Sequence, residues 1–201
     1  MLLLLNATLL LTILAAALPS AKRGLVFIPN PNWPQDSSIW IQPGSDLTWY
    51  YNYRSLPAEE YSHLPQSDFE FVPMMWGAGP NPSTDSSFAN SVVKLIHKGI
   101  NITHVLTFNE PDAPASWGGS NISPENATHA WAANILSLQK YGIKAGLPAV
   151  SGTPGGLAWL LQFVGNCTLV LGRRFTYDFL PVHWYDNFDG LRRYVSEVMV
   201  K

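Results

Sequence analysis

Hydrophobic residues along this chain fall in short runs of changing period, and the periods divide it into alternating strands and helices. Residues 24–27 read as a first strand, followed by a Pro- and Asn-rich loop through Trp33. Residues 47–51 are aromatic with poor alternation, the pattern of a strand buried on both faces. Residues 69–75 predict a third strand, with Pro73 near the end, where a lost ladder hydrogen bond matters least. From Ser87 onward Phe88, Val92, Leu95 and Ile96 recur at helical spacing, and Gly99 supplies the stop.

A fourth strand is predicted over residues 104–108. Ser123, Pro124 and Glu125 then supply an N-cap, a first-turn proline and a first-turn acid. The helix they open runs to Tyr141, with Ala130, Trp131, Asn134, Ile135 and Leu138 along one side and Gly142 as its stop. A fifth strand over 143–147, a short helix over 156–164, a sixth strand over 177–183 and a helix from Leu191 complete the pattern.

Strands alternating with helices through short connections predict an α/β fold with a parallel sheet built from right-handed βαβ units. No glycine-rich phosphate loop follows the first strand, which removes the main support for an open dinucleotide-binding sheet. Polar and aromatic residues gather just after strand ends, at Trp49, Trp76, Asn109, Glu110, His183 and Trp184. That is the active face of a (β/α)8 TIM barrel, the fold the pattern favours. Such barrels run to about 250 residues, so a 201-residue chain with six strands is about two βα units short. The expectation is a barrel truncated after strand six, with unpaired edges on its first and sixth strands. A fragment and a genuinely shortened protein both fit this expectation.

Composition narrows the function classes. Charged residues make up 13% of the chain against about 25% in typical domains, and the net charge is -2. With no polybasic cluster, a nucleic-acid partner is excluded. Eight tryptophans, eight tyrosines and nine phenylalanines leave an aromatic surface suited to an uncharged polar partner. One cysteine, Cys167, excludes a disulfide framework or a Cys-rich zinc site and reads as a buried thiol. His63, His97, His104 and His129 lack metal-binding spacing, so no metal and no cofactor is expected.

Residues 1–21 carry no charged side chain and end in small residues, the pattern of a signal peptide cleaved between Ala17 and Ala21. The apolar part is too interrupted for a membrane span. Sequons at Asn101, Asn121, Asn126 and Asn166 agree with export and glycosylation. Residues 22–201 then form one domain, and no membrane association is expected after cleavage.

The chemistry concentrates where the fourth predicted strand ends, in Thr107-Phe108-Asn109-Glu110-Pro111-Asp112. A carboxylic acid delivered there beside aromatics could hold its proton and donate it to a glycosidic oxygen. The same residues are also good turn chemistry, and spacing alone leaves both readings open. Trp117, in the Trp-Gly-Gly-Ser loop just beyond, is a candidate for the cleft rim. Trp131 and Trp159 read as packing residues within helices, and His183 as either a site residue or a core histidine.

The FNEPD run, with VPMMWG upstream and PVHWYD downstream, resembles the glycosyl hydrolase catalytic core of glycoside hydrolase family 128. KRGLVF, WYYNY and GLPAVSG extend the resemblance over nearly all of the chain after the signal. It implies a secreted (β/α)8 enzyme acting on β-1,3-glucan polysaccharide of cell walls. By the resemblance Glu110 is the acid/base and Asn109 contacts the sugar near its 2-hydroxyl. Trp49, Asn52, Trp76, His183, Trp184 and Tyr185 match substrate-binding positions, with Tyr53 departing mildly from the family's strand-two motif.

The nucleophile of a retaining glycosidase is a second carboxylate about 5 to 5.5 Å from the first. The resemblance places it after strand seven, and no carboxylate of this sequence has that context. Glu59, Glu60, Glu125 and Glu197 read as loop or helix-surface residues, Glu70 lies within the third strand, and Asp112 is too close in sequence to Glu110. The expectation is therefore a retaining β-glucan hydrolase site that is inactive in this chain. The alternative is a non-catalytic, glucan-binding wall protein.

Overall fold

The computed structural model describes residues 23–199, so the expected signal sequence lies outside the described residues. Six short strands are all parallel to their neighbours, in two three-stranded sheets. β1 (Gly24–Val26), β2 (Trp49–Tyr51) and β3 (Glu70–Phe71) form the first, in chain order. β4 (Met74–Met75), β5 (His104–Asn109) and β6 (Lys144–Ala149) form the second, again in chain order.

The predicted third strand is one extended run that serves both sheets. Its first half pairs with β2, where Val72 donates from N to Tyr50 O at 2.9 Å. Its second half pairs with β5, where Leu106 donates from N to Pro73 O at 2.9 Å. Pro73 has no N–H to give, so the ladder breaks at it while its carbonyl still accepts.

Three helices cover one side of these strands. α1 (Ser87–His97) buries Phe88, Val92 and Leu95 of the stripe read from the sequence, together with Ala89, while Ile96 is partly buried against the core. α2 (Pro124–Leu138) starts where Asn126 donates from N to Ser123 Oγ at 3.2 Å, and it ends through a 3-10 turn at Gly142. Asn134 of α2 accepts from Ala89 N at 3.0 Å and donates to Asp85 O at 2.8 Å, fixing α2 to the start of α1. The core lies between this layer and the strands, with Val92, Val105, Phe108, Ala127 and Phe163 fully enclosed.

Two expectations are corrected. The short helix over 156–164 is α3 (Pro154–Leu171), 18 residues long, because nothing before Gly172 adopts a helix-ending conformation; Gly172 has φ +60°. By length and composition α3 could cross a membrane, with mean hydropathy 1.3, yet it buries Trp159, Leu160, Phe163 and Cys167 against the sheet layer. The sixth strand over 177–183 is reduced to one bridge, Gly146 to Phe179, although Leu147 also donates from N to Phe179 O at 3.0 Å. Pro181 cannot extend that ladder. α4 (Phe188–Met199) follows.

Successive parallel strands with helices between them are the units of a (β/α) barrel. Among the described residues β1 and β6 do not pair, so these six strands do not close a ring.

Candidate active site

Within β5, Val105, Thr107 and Phe108 are fully buried. Thr107 Oγ1 donates to Gly146 O at 2.9 Å, and Asn109 donates from N to Trp76 O at 3.0 Å. The strand thus ends held from both sides, and the next residue is Glu110. Its backbone has φ +40°, in the left-handed region that non-glycine residues rarely occupy. Glu110 N donates to Ala149 O at 2.8 Å, and Glu110 O accepts from Ala113 N at 2.9 Å. Gly119 packs on this turn: a Cβ there would stand 2.3 Å from Ala113 O and 2.6 Å from Glu110 O.

The Glu110 carboxylate meets His183, whose Nδ1 lies 2.8 Å from Oε1. Their side chains are only 16% and 17% exposed. With Glu110 ionised, Nδ1–H donates; with Glu110 protonated, the carboxylic acid donates to Nδ1. A cavity of about 490 Å³ opens over the pair, lined by Glu110, Asp112, Trp117, Ser151, His183 and Tyr185, among others. Tyr185 is 89% exposed and Trp117 is 79% exposed. Desolvation, then the negative charge of Glu110, then Tyr53 raise the Tyr185 phenol above its ordinary value. Outside this lining, along β2, the ring of Tyr51 stacks on Trp49 at 6.4 Å and meets the edge of Tyr53 at 5.1 Å.

The structure brings together Glu110, His183, Trp184 and Tyr185, as expected, but the rings differ in role. Trp184 is wedged into protein. A Cβ on Gly152 would stand 2.8 Å from its ring and one on Gly190 2.4 Å, Tyr194 stacks on it at 5.6 Å, and Nε1 donates to Asn187 O at 2.9 Å. Tyr185 and Trp117 are the most exposed aromatics of the cleft, and the half-buried Trp184 lines it as well.

Asn109 is 7% exposed. Its Nδ2 donates to Gly118 O at 2.9 Å, and its Oδ1 is buried without a hydrogen-bond partner. Its amide therefore holds the loop that carries Trp117. Asn52 frames a turn, donating from Nδ2 to Leu56 O at 3.0 Å and accepting from Arg54 N at 3.2 Å. It lines a separate cavity of about 760 Å³, with Arg54, Glu59 and Ser87.

Trp76 follows β4 and is partly exposed, outside the lining of the Glu110 cavity. Trp49 opens β2 instead of ending it: it pairs with Gly24 and Glu70, at the opposite end of the strand from Asn52. Strand pairing begins at Trp49 and not at Leu47, which reverses the end on which the tryptophan sits. Glu70 accepts from Thr103 Oγ1 and lies 3.7 Å from His104 Nδ1.

Sequence reasoning missed the partners of Asp112. Oδ1 accepts from Ser151 N at 2.9 Å, and Oδ2 accepts from Ser151 Oγ. No periodicity links residues 39 positions apart, so only the fold reveals them. Asp186 lines the same cavity and accepts from Asn187 N at 2.7 Å. Asn101, Asn121 and Asn126 are exposed, and Asn166 is half-buried on α3. Cys167 is buried beside Thr128, and burial pushes its thiol up to about 12. Among the described residues no group of three His, Cys, Asp or Glu could hold a metal ion.

The family model for the glycosyl hydrolase catalytic core matches residues 24–201. No curated protein matches the sequence significantly. The fold is similar to the crystal structure of a curdlan-specific exo-β-1,3-glucanase of glycoside hydrolase family 128, subgroup III, from Blastomyces gilchristii, in complex with glucose. Identity is 31%, the TM-score is 0.65, and the match covers 88% of this chain and 68% of that one.

It is also similar to a subgroup II endo-β-1,3-glucanase from Pseudomonas viridiflava, at 25% identity and TM-score 0.65, covering 89% of this chain and 66% of that one. A subgroup I endo-β-1,3-glucanase from Amycolatopsis mediterranei, in complex with laminaripentaose, matches at 31% identity and TM-score 0.53, covering 77% of this chain and 58% of that one. The chain thus spans between 58% and 68% of the length of these three enzymes. By its sequence match and its fold, the chain belongs to the glycosyl hydrolase catalytic core family, and within it to glycoside hydrolase family 128.

Proposed function

We propose that this chain carries the acid/base half of a secreted, retaining β-1,3-glucanase site that acts on cell-wall glucan. The observation that carries the reading is the seat of Glu110: a strained position at the end of β5, paired with His183, under a cleft walled by Tyr185 and Trp117. In the first half-reaction the protonated carboxyl gives its proton to the glycosidic oxygen as the leaving sugar departs. In the second it takes a proton from water. His183 holds the carboxyl in one orientation through both steps, while the exposed faces of Tyr185 and Trp117 offer apolar surface to glucosyl rings. That the relatives include enzymes crystallised with glucose and laminaripentaose supports a β-1,3-glucan as ligand.

Retention needs a second, free carboxylate across the sugar. The other carboxylates lining this cleft are engaged elsewhere, Asp112 with Ser151 and Asp186 with Asn187. We therefore infer that residues 22–201 by themselves bind β-1,3-glucan without turning it over; a non-catalytic, glucan-binding wall protein is the second reading. Export, with removal of residues 1–21 and glycans on the four sequons, belongs to the same proposal.

Reducing-sugar release from laminarin by the parent and by Glu110→Gln, beside laminarihexaose binding by calorimetry, tests these readings. Binding without release is the expected result. Release by the parent that is lost in Glu110→Gln overturns the inactivity and supports the acid role. Neither binding nor release overturns both readings.

A further inference from the structure

Asp112 lies two residues beyond Glu110 but faces a different loop. Its Oδ1 accepts from Ser151 N at 2.9 Å and its Oδ2 from Ser151 Oγ. Ser151 Oγ also lies 2.9 Å from Thr153 Oγ1, and Thr153 caps α3 by accepting from Gly156 N at 3.1 Å. Gly156 has no room for a side chain: a Cβ would stand 2.3 Å from Ser151 O and 3.1 Å from Asp112 Oδ2. The loop 151–153 is therefore fastened at once to the turn carrying the acid and to the rigid start of an 18-residue helix.

The same loop seats the segment that returns to the acid. A Cβ on Gly152 would stand 2.8 Å from the Trp184 ring and 3.1 Å from His183 O, so the bare backbone of Gly152 is the surface on which His183 and Trp184 rest. Tyr194 stacks on the Trp184 ring, and the charge of Asp112 reaches the Tyr194 hydroxyl as well. From Trp184 the chain steps back one residue to His183, whose Nδ1 closes on Glu110 Oε1 at 2.8 Å. The contacts form a closed circuit, from Glu110 through Asp112, Ser151, Gly152 and His183 back to Glu110.

We propose that Asp112 is a positioning residue for the catalytic acid: by fixing the 151–153 loop it sets where His183 stands, and through His183 it fixes the orientation and tautomeric partner of the Glu110 carboxylate. This inference rests on the reading of Glu110 as the acid/base. The physical basis is that two hydrogen bonds donated by one residue to one carboxylate fix both position and direction. A histidine oriented by a backbone seat presents one ring nitrogen only. No regular secondary structure ties residues 183–185 to the sheet, so the seat on Gly152 does what strand pairing does elsewhere.

The test is the tautomer of His183 in the full chain labelled with 15N-histidine. Long-range correlation spectra are recorded at about pH 8, where imidazoles are ordinarily neutral. The parent is expected to show a single Nδ1–H form. Asp112→Ala should convert it to the mixture of an unrestrained ring. Asp112→Asn should keep the single form, because the amide can still accept from Ser151 N–H and donate to the Ser151 hydroxyl. Ser151→Ala supplies the same arm if Asp112→Ala fails to give a dispersed, folded amide spectrum.

A single Nδ1–H form retained in the alanine variants overturns the inference. Equal loss in Asp112→Asn also overturns it, since charge and not hydrogen-bonded position would then be at work. Glu110→Ala must release the ring, and if it does not, the pair itself is wrong and the inference falls with it. The hydrolysis and binding assays report on Glu110 as the acid independently, so the two failures are told apart.

Discussion

The Nδ1 atom of His183 lies 2.8 Å from Oε1 of Glu110, joining a residue of the irregular segment before α4 to the turn that ends β5, 73 positions earlier. Both side chains are largely buried, so each depends on the other for a partner. Removing one partner of a buried charged hydrogen bond costs about 1–3 kcal/mol. His183→Ala should lower the unfolding free energy in urea by that order, and Glu110→Gln by less, because the amide still offers a partner to the ring. A His183→Ala chain as stable as the parent would remove the pair as a feature of the folded state.

The exposed rings at the cleft separate binding from folding. Tyr185 and Trp117 contribute little to the core, and aromatic contacts of this kind are worth about 0.5–1.5 kcal/mol, so Tyr185→Ala and Trp117→Ala should each weaken laminarihexaose binding about two- to tenfold. Their melting temperatures should stay near the parent's. Trp184→Ala should instead destabilise the fold, by up to about 3 kcal/mol, since its ring fills space between Gly152, Gly190 and Tyr194. Calorimetric titration and thermal melts on the three variants check both halves. A Trp184→Ala chain that melts like the parent yet loses binding would make Trp184 the platform.

Gly119 admits no side chain beside the acid. A Cβ there would press on Ala113 O and Glu110 O, both backbone atoms that cannot swing aside. Gly119→Ala should cost roughly 1–3 kcal/mol, the usual penalty of overpacking, and should displace Glu110 as well. Chemical denaturation reads the first effect, and reduced laminarihexaose affinity reads the second. Gly165→Ala, which meets nothing within 4 Å on a helix, is the control and should be neutral or slightly stabilising.

Cys167 makes stability fall at alkaline pH. Burial disfavours the thiolate, pushing the folded value from 9.0 up to about 12. Between those values the unfolded chain gives up a proton that the folded chain keeps, so rising pH favours unfolding across that window. Urea midpoints should drop from pH 8 to pH 9, and Cys167→Ala should reduce that drop, because a free thiol ionises around 9.0, before the free tyrosine value of 10.0 is reached. The native thiol should also resist alkylation at neutral pH and react once the chain is unfolded. Rapid labelling of the native chain would contradict its burial.

Much of the fold was legible because local rules fix it. The stripe of Phe88, Val92 and Leu95, the Ser123 cap and the Gly142 stop each act within a few residues, and α1 and α2 follow them closely. Where the outcome depended on distant partners, the sequence was a weaker guide. Pro73 divides one predicted strand between two sheets, and the segment 177–183 makes a single bridge, at Gly146, where a side chain would collide with the Phe179 ring.

The candidate site shows the same division. Glu110 stood out because an apolar run delivers an acid to a strand's end. The wedge position of Trp184, the loop-holding amide of Asn109 and the bond from Asp112 to Ser151 are contacts between segments that no spacing encodes. Trp49 was misplaced for a local reason: the aromatic run of residues 47–51 marks a strand without marking which residue starts its pairing.

The most direct measurement follows the His183 ring and the tryptophan indole N–H signals by NMR as laminarihexaose is added, with cellohexaose as the control. If Glu110 sits as a proton donor beneath a β-1,3-glucan cleft, the His183 and Trp117 signals should shift together and saturate with laminarihexaose, and cellohexaose should leave them in place. Saturable shifts confined to Trp33 and Trp40, exposed tryptophans between β1 and β2 that lie outside the cleft lining, or no shift at His183 at any ligand concentration, would contradict it.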